Sequence, residues 1–538
     1  MGKANPPASS ELALGGMSDL RLVNPVILAK EMAEPLEETI VKKITILSAL
    51  GLIAAVLAIG STFLYARETT PPHIKEMRRI AGMFKETEPA FTVQEAEAFA
   101  KDLLPLVKKL AGKRFHMSPT IKLVNRDVLE QTLVRDFLPQ YRNVMKPMKE
   151  HQILQSSKAQ ARGIAPFLLG KYGFEDKILY LMPRNVVPIF QLAKIDQKHI
   201  RSILKMIIAH ELTHVLQDQE IDLGVKFRNV EGLEELDALN ATIEGHAVFI
   251  QELVGKQLKL NEEILEASRR LIAGSVKFNE PALEMARKRA SVRFEQIYLG
   301  GMRFIEYHYR KGGNQRIWEI LAEPPAETSM ITKPETYSPV HTMKLDYAKI
   351  LQGLEEIEWL SSYFRRRKFS ICNCEVTTFR LRSTYANLDS EKREELISKI
   401  EHIQTFEATK KGLAGSFSLI LLKDYRYGHK YISTVEKMAT KNIERMKKGT
   451  MYKIADLSLA DFPGIKADIA RRLSFSLKSS SGGKQRHMAV RICRGEVMVE
   501  ISSMNIPLHD DQIIEMAQKI FQGYRKAKEQ RELRRPQN

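Results

Sequence analysis

Residues 198–219 read K-H-I-R-S-I-L-K-M-I-I-A-H-E-L-T-H-V-L-Q-D-Q. Ile200, Ile203, Leu204, Ile207 and Ile208 recur at helical spacing, and Leu212, Val215 and Leu216 continue the apolar set. Asp196, just before the run, serves as its N-cap. Inside this helix stands His210-Glu211-Leu212-Thr213-His214. Positions i and i+4 share a helix face, so His210 and His214 can hold one metal ion together. Glu211 points to a neighbouring face, close enough to activate a water on that ion. The pattern is H-E-x-x-H, a zinc-site signature. Two core histidines satisfied by backbone carbonyls are the plainer alternative, because buried polar groups need partners.

A catalytic zinc ion takes three protein ligands and keeps one position open. The third ligand is expected from a second helix, and Glu234–Leu260 has the pattern of one. Glu244 is flanked at helical spacing by Asn240, Ala241, Ala247 and Val248, a small and mostly apolar face. A carboxylate there is costly to bury unless it meets a cation. Small neighbours also let two helices approach closely. Glu244 is therefore the favoured third ligand. His246, two residues on and on another face, is the competitor.

The stretch A-H-E-L-T-H-V-L-Q-D-Q, followed about thirty residues later by E-G-x-A, resembles the gluzincin-type metallopeptidases of bacteria and archaea. Tyr298–Trp318 is similar to that family's Y-x-x-G-x-x-F segment with its later Gly-Gly. Pro324-Pro325-Ala326-Glu327-Thr328, leading to Pro334-Glu335-Thr336-Tyr337, is similar to its P-P-x-S-T-E-Q-x-L-H-P-E-x-Y element. The resemblance covers residues 115–340. It implies a two-lobed zincin-like domain with Zn2+ on His210, His214 and Glu244 and with Glu211 as general base. The chain departs from the pattern at Ser329, where the family has glutamate, and at Lys333, where it has histidine.

The chemistry expected is hydrolysis of a protein or peptide substrate, with Glu211 passing a proton from water to the leaving amine. Tyr307, His308 and Tyr337 are candidate donors to the tetrahedral intermediate. Ile178–Met182 has the pattern of a short strand, either an edge that holds an extended peptide or an ordinary core strand. A non-catalytic zinc-containing scaffold anchored to the membrane is the reading from another functional class, favoured by Ser329 and Lys333.

Ile44–Ala66 holds 23 residues without a charge, long enough to span a bilayer as a helix. Lys42 and Lys43 precede it, and Tyr65 and Arg67 close it as interfacial anchors do. It starts too far into the chain, and runs too long, for a cleaved signal peptide. No second span is evident, so a single-pass protein of the cell membrane is expected. Basic residues are nearly balanced across the span. The Lys42-Lys43 pair favours a cytoplasmic N-terminus and an extracytoplasmic catalytic domain.

The net charge of +18 is uneven. Residues 361–538 hold 35 Lys and Arg against 20 Asp and Glu, a surplus of 15. Such a field favours anionic lipid headgroups or an anionic polymer, or it is simply a solvated basic surface. No zinc-finger spacing or RNA-binding aromatic motif is present, which argues against nucleic acid. Three cysteines exclude a disulfide scaffold. Cys372 and Cys374 would share one face of a strand; one of them could pair with Cys493 outside the cytoplasm, but buried thiols are the favoured reading.

The fold class expected is α+β, organised in five parts. A flexible tail (1–43) leads to the membrane helix (44–66) and a linker (67–91). The zincin-like domain (92–351) and a basic α+β accessory domain (369–538) follow. In the accessory domain Thr377–Ser383, Ser416–Leu422, Leu473–Leu477, Met488–Cys493 and Val497–Ser502 have strand patterns, with a turn at Ser479–Gly483. Asp510–Lys528 has the pattern of an amphipathic helix.

Overall fold

The computed structural model describes residues 82–84, 87–144, 150–273, 280–338, 347–367, 369–410, 413–479 and 484–533. The expected tail (1–43), membrane helix (44–66) and most of the linker (67–91) lie outside the described residues, as does the expected Ser479–Gly483 turn apart from Ser479, which ends a strand. Among the described residues no helix is long and apolar enough to cross a membrane.

The first half begins with helix α1 (Val93–Ala111), opened by a capping box in which Thr92 and Glu95 each bond the other's backbone N–H. Such a cap is worth about 1 kcal/mol. Strand β1 (Thr120–Leu123), helices α2 (Arg126–Val144) and α3 (Glu150–Ile164), and strands β2 (Gly170–Tyr172) and β3 (Ile178–Leu181) follow. The three strands form a mixed sheet in the order β1-β3-β2, parallel at β1/β3 and antiparallel at β2/β3. β3 is thus the central strand, not a free edge, because its apolar Ile-Leu-Tyr-Leu run is paired on both sides. The edge nearest the histidine motif is β2.

After α4 (Val186–Leu192), Asp196 accepts a hydrogen bond from the Lys198 N–H and caps a short 3₁₀ turn. That turn runs into α5 (Ile200–Ile221), which carries the histidine motif. α5 stops at Asp222, whose φ of +49° ends the helix and whose carboxylate caps α6 (Leu223–Arg228). The long α7 (Leu233–Gln257), α8 (Glu262–Ala273) and α9 (Pro281–Phe294) come next. A π-helical turn (Glu295–Gly300) then leads into α10 (Gly301–Ala322), which is broken at Gly312 and Gly313. The short α11 (Thr328–Thr332) lies beyond. One hydrophobic core runs from Phe91 through α5, α7 and α10 to Ile331, so the two halves of this region share their interior.

In the second half α12 (Tyr347–Gln352) and α13 (Glu358–Arg367) precede β4 (Ser370–Glu375), α14 (Thr378–Thr384) and α15 (Ser390–Ser398). Then come β5 (Ile400–Lys410), β6 (Leu413–Leu422), α16 (Gly428–Lys447), β7 (Tyr452–Asp461), β8 (Ile469–Ser479), β9 (Lys484–Arg494), β10 (Val497–Met504) and α17 (Asp510–Leu533). The strands form one antiparallel sheet in the order β4-β5-β6-β10-β9-β8-β7. Helices cover both faces. Leu419 and Leu421 face the core shared with α12, α13 and α17, while Ile420 and Leu422 face the opposite core. Burial on both sides explains the unbroken apolar run in β6.

One expectation is corrected here. Thr377–Ser383 is not a strand. The Thr377 side chain accepts from the Arg380 N–H and starts α14, overriding the alternation of Phe379 and Leu381. Cys493 on β9 is a buried free thiol, pushed up to about 11 by burial. Four strand spacings, about 19 Å, separate β4 from β9, too far for a disulfide between the two strands.

Candidate metal centre

α5 and α7 pack against each other, and this brings His210 and His214 of α5 to Glu244 of α7. His210 Nε2 lies 3.1 Å from Glu244 Oε2 and 3.1 Å from His214 Nε2. His214 Nε2 lies 3.3 Å from the same carboxylate oxygen. Ligands about 2.0–2.1 Å from a tetrahedral zinc ion stand about 3.3 Å from one another. The donor set therefore fits such an ion in both chemistry and spacing. Side-chain exposures of 12%, 5% and 20% for His210, His214 and Glu244 leave the group mostly buried, with Glu244 the most accessible. Burial pulls the Glu244 carboxyl up, but His214 and His210 outweigh it and hold it well below the usual carboxylate range. Burial pulls His214 down, and Glu244 more than reverses that.

Both imidazoles are held from behind by amides. His210 Nδ1 meets Gln251 Oε1 at 3.1 Å, and His214 Nδ1 meets Gln217 Oε1 at 2.8 Å. Such bonds fix the tautomer and turn each Nε2 toward the ion site.

A comparison with protein-family models found no match, and a comparison with curated proteins found none. Among solved structures, one match is the crystal structure of "a putative hydrolase with a novel fold" from Chloroflexus aurantiacus. The two share 17% identity at a TM-score of 0.32, over 53% of this chain and 95% of that one. At that TM-score the likeness carries no argument about the chemistry here. The resemblance to gluzincins rests on the motif residues alone.

Glu211 is buried beside the three ligands, and its charge is felt by both His214 and Tyr298. Its Oε2 accepts the Tyr172 N–H of β2 at 2.7 Å. A Cβ on Gly170 would come within 2.9 Å of the Glu211 side chain, so glycine lets the strand lie directly over it. His246 is not in the ligand group. It lies behind His214, with Nδ1 3.0 Å from Gln217 Nε2, and burial together with His214 pushes it down to about 3.

Tyr307, His308 and Tyr337 gather elsewhere. His308 packs against Phe304, Tyr307 and Tyr337, and the Tyr337 hydroxyl donates to the Glu323 carbonyl. Ser329 Oγ meets Glu327, and Lys333 caps the end of α11. The phenol that does reach the ligands is Tyr298, which sequence reasoning did not single out. Its ring is 6.3 Å from that of His210, and burial with the charges of Glu244 and Glu211 raises it well above its ordinary value. A signal was available. Tyr298 is three residues before Gly301, and a Cβ at Gly301 or Gly245 would run into backbone of the facing helix. These two glycines let α7 and α10 touch backbone to backbone beside Glu244.

Proposed function

We propose that the protein is a membrane-anchored, zinc-dependent hydrolase of peptide bonds. The observation that carries this reading is the convergence of His210, His214 and Glu244, at zinc-ligand spacing, beside the buried carboxylate of Glu211. His210, His214 and Glu244 would hold a zinc ion, which would supply a Lewis acid able to acidify water and polarise a carbonyl. Glu211 takes the water proton and delivers it to the departing amine. The Tyr172 N–H occupies Glu211 Oε2, which leaves Oε1 as the proton-accepting oxygen. Tyr298 donates its hydroxyl proton in a hydrogen bond to the oxygen that gains charge during attack. An extended peptide would lie along the outer edge of β2, because the Tyr172 N–H turns away from β3 and toward the site.

The 44–66 segment anchors the chain, and the Lys42-Lys43 pair supports an extracytoplasmic catalytic domain. The surplus of basic residues after residue 361 favours an anionic lipid or polymer as a further contact. The test is metal analysis of the purified protein alongside cleavage of a peptide library. We expect about one zinc per chain. Glu211→Gln should keep the metal and lose about 10²–10⁴-fold in turnover. Bound zinc without cleavage by either form would favour the non-catalytic scaffold, and absence of bound metal would overturn both.

A further inference from the structure

Behind His214 the hydrogen bonds can be assigned in only one way. Gln217 Nε2 lies 3.0 Å from the carbonyl of Ile243, which can only accept. The Gln217 amide is therefore oriented with its NH₂ toward α7 and its oxygen toward His214. Its oxygen can only accept, so His214 Nδ1 carries a proton, and in the neutral ring that binds an ion the lone pair is on Nε2, facing the ligand group. The same NH₂ lies 3.0 Å from His246 Nδ1, which must then accept, leaving the His246 proton on Nε2. That Nε2 is buried without a hydrogen-bond partner, and the His246 ring stands edge to face with Trp318 at 5.4 Å. His246 is 1% exposed and Gln217 is fully buried.

An unpaired buried N–H is a cost to the fold with no return in packing. A purely structural position would hold an apolar ring as well or better. Its return is on the other nitrogen, which holds the amide in the orientation His214 needs. Gln217 also ties α5 to the carbonyl that immediately precedes Glu244, so one amide fixes the relative placement of two ligands. On the His210 side Gln251 does the first task alone, donating to Ser268 Oγ at 2.9 Å.

We infer that Gln217 and His246 form a neutral positioning relay that presets His214 Nε2 for a divalent ion of zinc type. The inference rests on the metal-site reading above. The relay makes His246 a residue whose removal weakens metal binding without weakening the metal-free fold.

The experiment uses the full chain with Zn2+ and Co2+ as probes, in competition with a chelator. His246→Phe keeps an aromatic ring against Trp318 and removes the acceptor. It should lower metal affinity about 10-fold while leaving the melting temperature of the metal-free protein unchanged or higher. Gln217→Leu should lower affinity by about 10–100-fold. Gln217→Glu, which restores the acceptor for His214 but not the donor to His246, should recover most of that loss. In ¹⁵N-histidine-labelled metal-free protein, His246 should be the Nε2–H tautomer, switching to Nδ1–H in Gln217→Glu. Wild type that binds metal while His246→Phe binds within about twofold of it overturns the relay and leaves the metal site standing. An Nδ1–H tautomer at His246 in wild type also overturns it. Wild type that binds neither ion overturns the metal-site reading and the relay with it.

Discussion

At the scale of a single residue, Tyr298 would separate the proposed chemistry from metal binding. It touches the ligand group through ring contact with His210 and supplies no ligand atom. Tyr298→Phe should leave bound zinc unchanged and lower kcat by about 10²-fold, as loss of one preorganised donor does. Steady-state kinetics beside metal analysis checks this. Glu234 gives a prediction in pH. Burial pushes its carboxyl from the ordinary 4.5 up to about 8, the Glu375 and Asp237 charges add to this, and the Thr328 hydroxyl and N–H oppose it. The folded protein therefore holds a proton that the unfolded chain releases between pH 4.5 and 8. Stability falls as pH rises through that window. Glu234→Gln should flatten the dependence and exceed wild type at pH 8 by on the order of 3 kcal/mol, with little difference at pH 4.5. Urea denaturation across that range tests it.

Among elements, the crossing of α7 and α10 decides where Tyr298 lies. A Cβ on Gly245 would meet the backbone of Gly301, and a Cβ on Gly301 would meet the Ala241 carbonyl. Backbone cannot yield as a flexible side chain can. Gly245→Ala should cost about 3 kcal/mol and weaken metal binding, since α7 must shift with Glu244 on it. Thermal melting with and without Zn2+ would show both effects. The histidine helix was legible because its apolar spacing and the Asp196 turn agree with each other. The π-helical turn was not, because it differs from α-helix by one hydrogen-bond step and leaves no periodicity of its own. Strand patterns in the second half read well where a face is buried, as in β6. They failed at α14, where one capping threonine outweighed two alternating apolar residues.

In the whole molecule, the sheet domain docks on the same helix that carries Glu244. Asp237, fully buried on α7, binds Arg293 of α9 at 2.7 Å and the Thr377 hydroxyl at the start of α14 at 2.8 Å. Thr450, beyond α16, donates to Glu280 at the start of α9. The second half is thus coupled to the metal helix rather than tethered beside it. Removing one partner of a buried pair leaves the other charge uncompensated, so Asp237→Ala should destabilise the protein by about 3–5 kcal/mol. Calorimetry should show the loss as a shift of the transition that includes both halves. A second, unshifted transition from the sheet domain would contradict this coupling.

The sequence by itself determined the candidate ligands: the i, i+4 histidines with Glu211 adjacent, and a third from α7, Glu244 or His246. Those follow from helix geometry, which repeats every few residues and is written locally. It also determined the apolar runs of the sheet, since two-sided burial forces them. Only the tertiary structure decided between Glu244 and His246, because their difference is which face of α7 meets α5. It alone placed Tyr298, rather than Tyr307, His308 or Tyr337, beside the ligands, and made β2 instead of β3 the open edge. These choices depend on how elements far apart in the chain pack, on glycine contacts and strand order that no local period records.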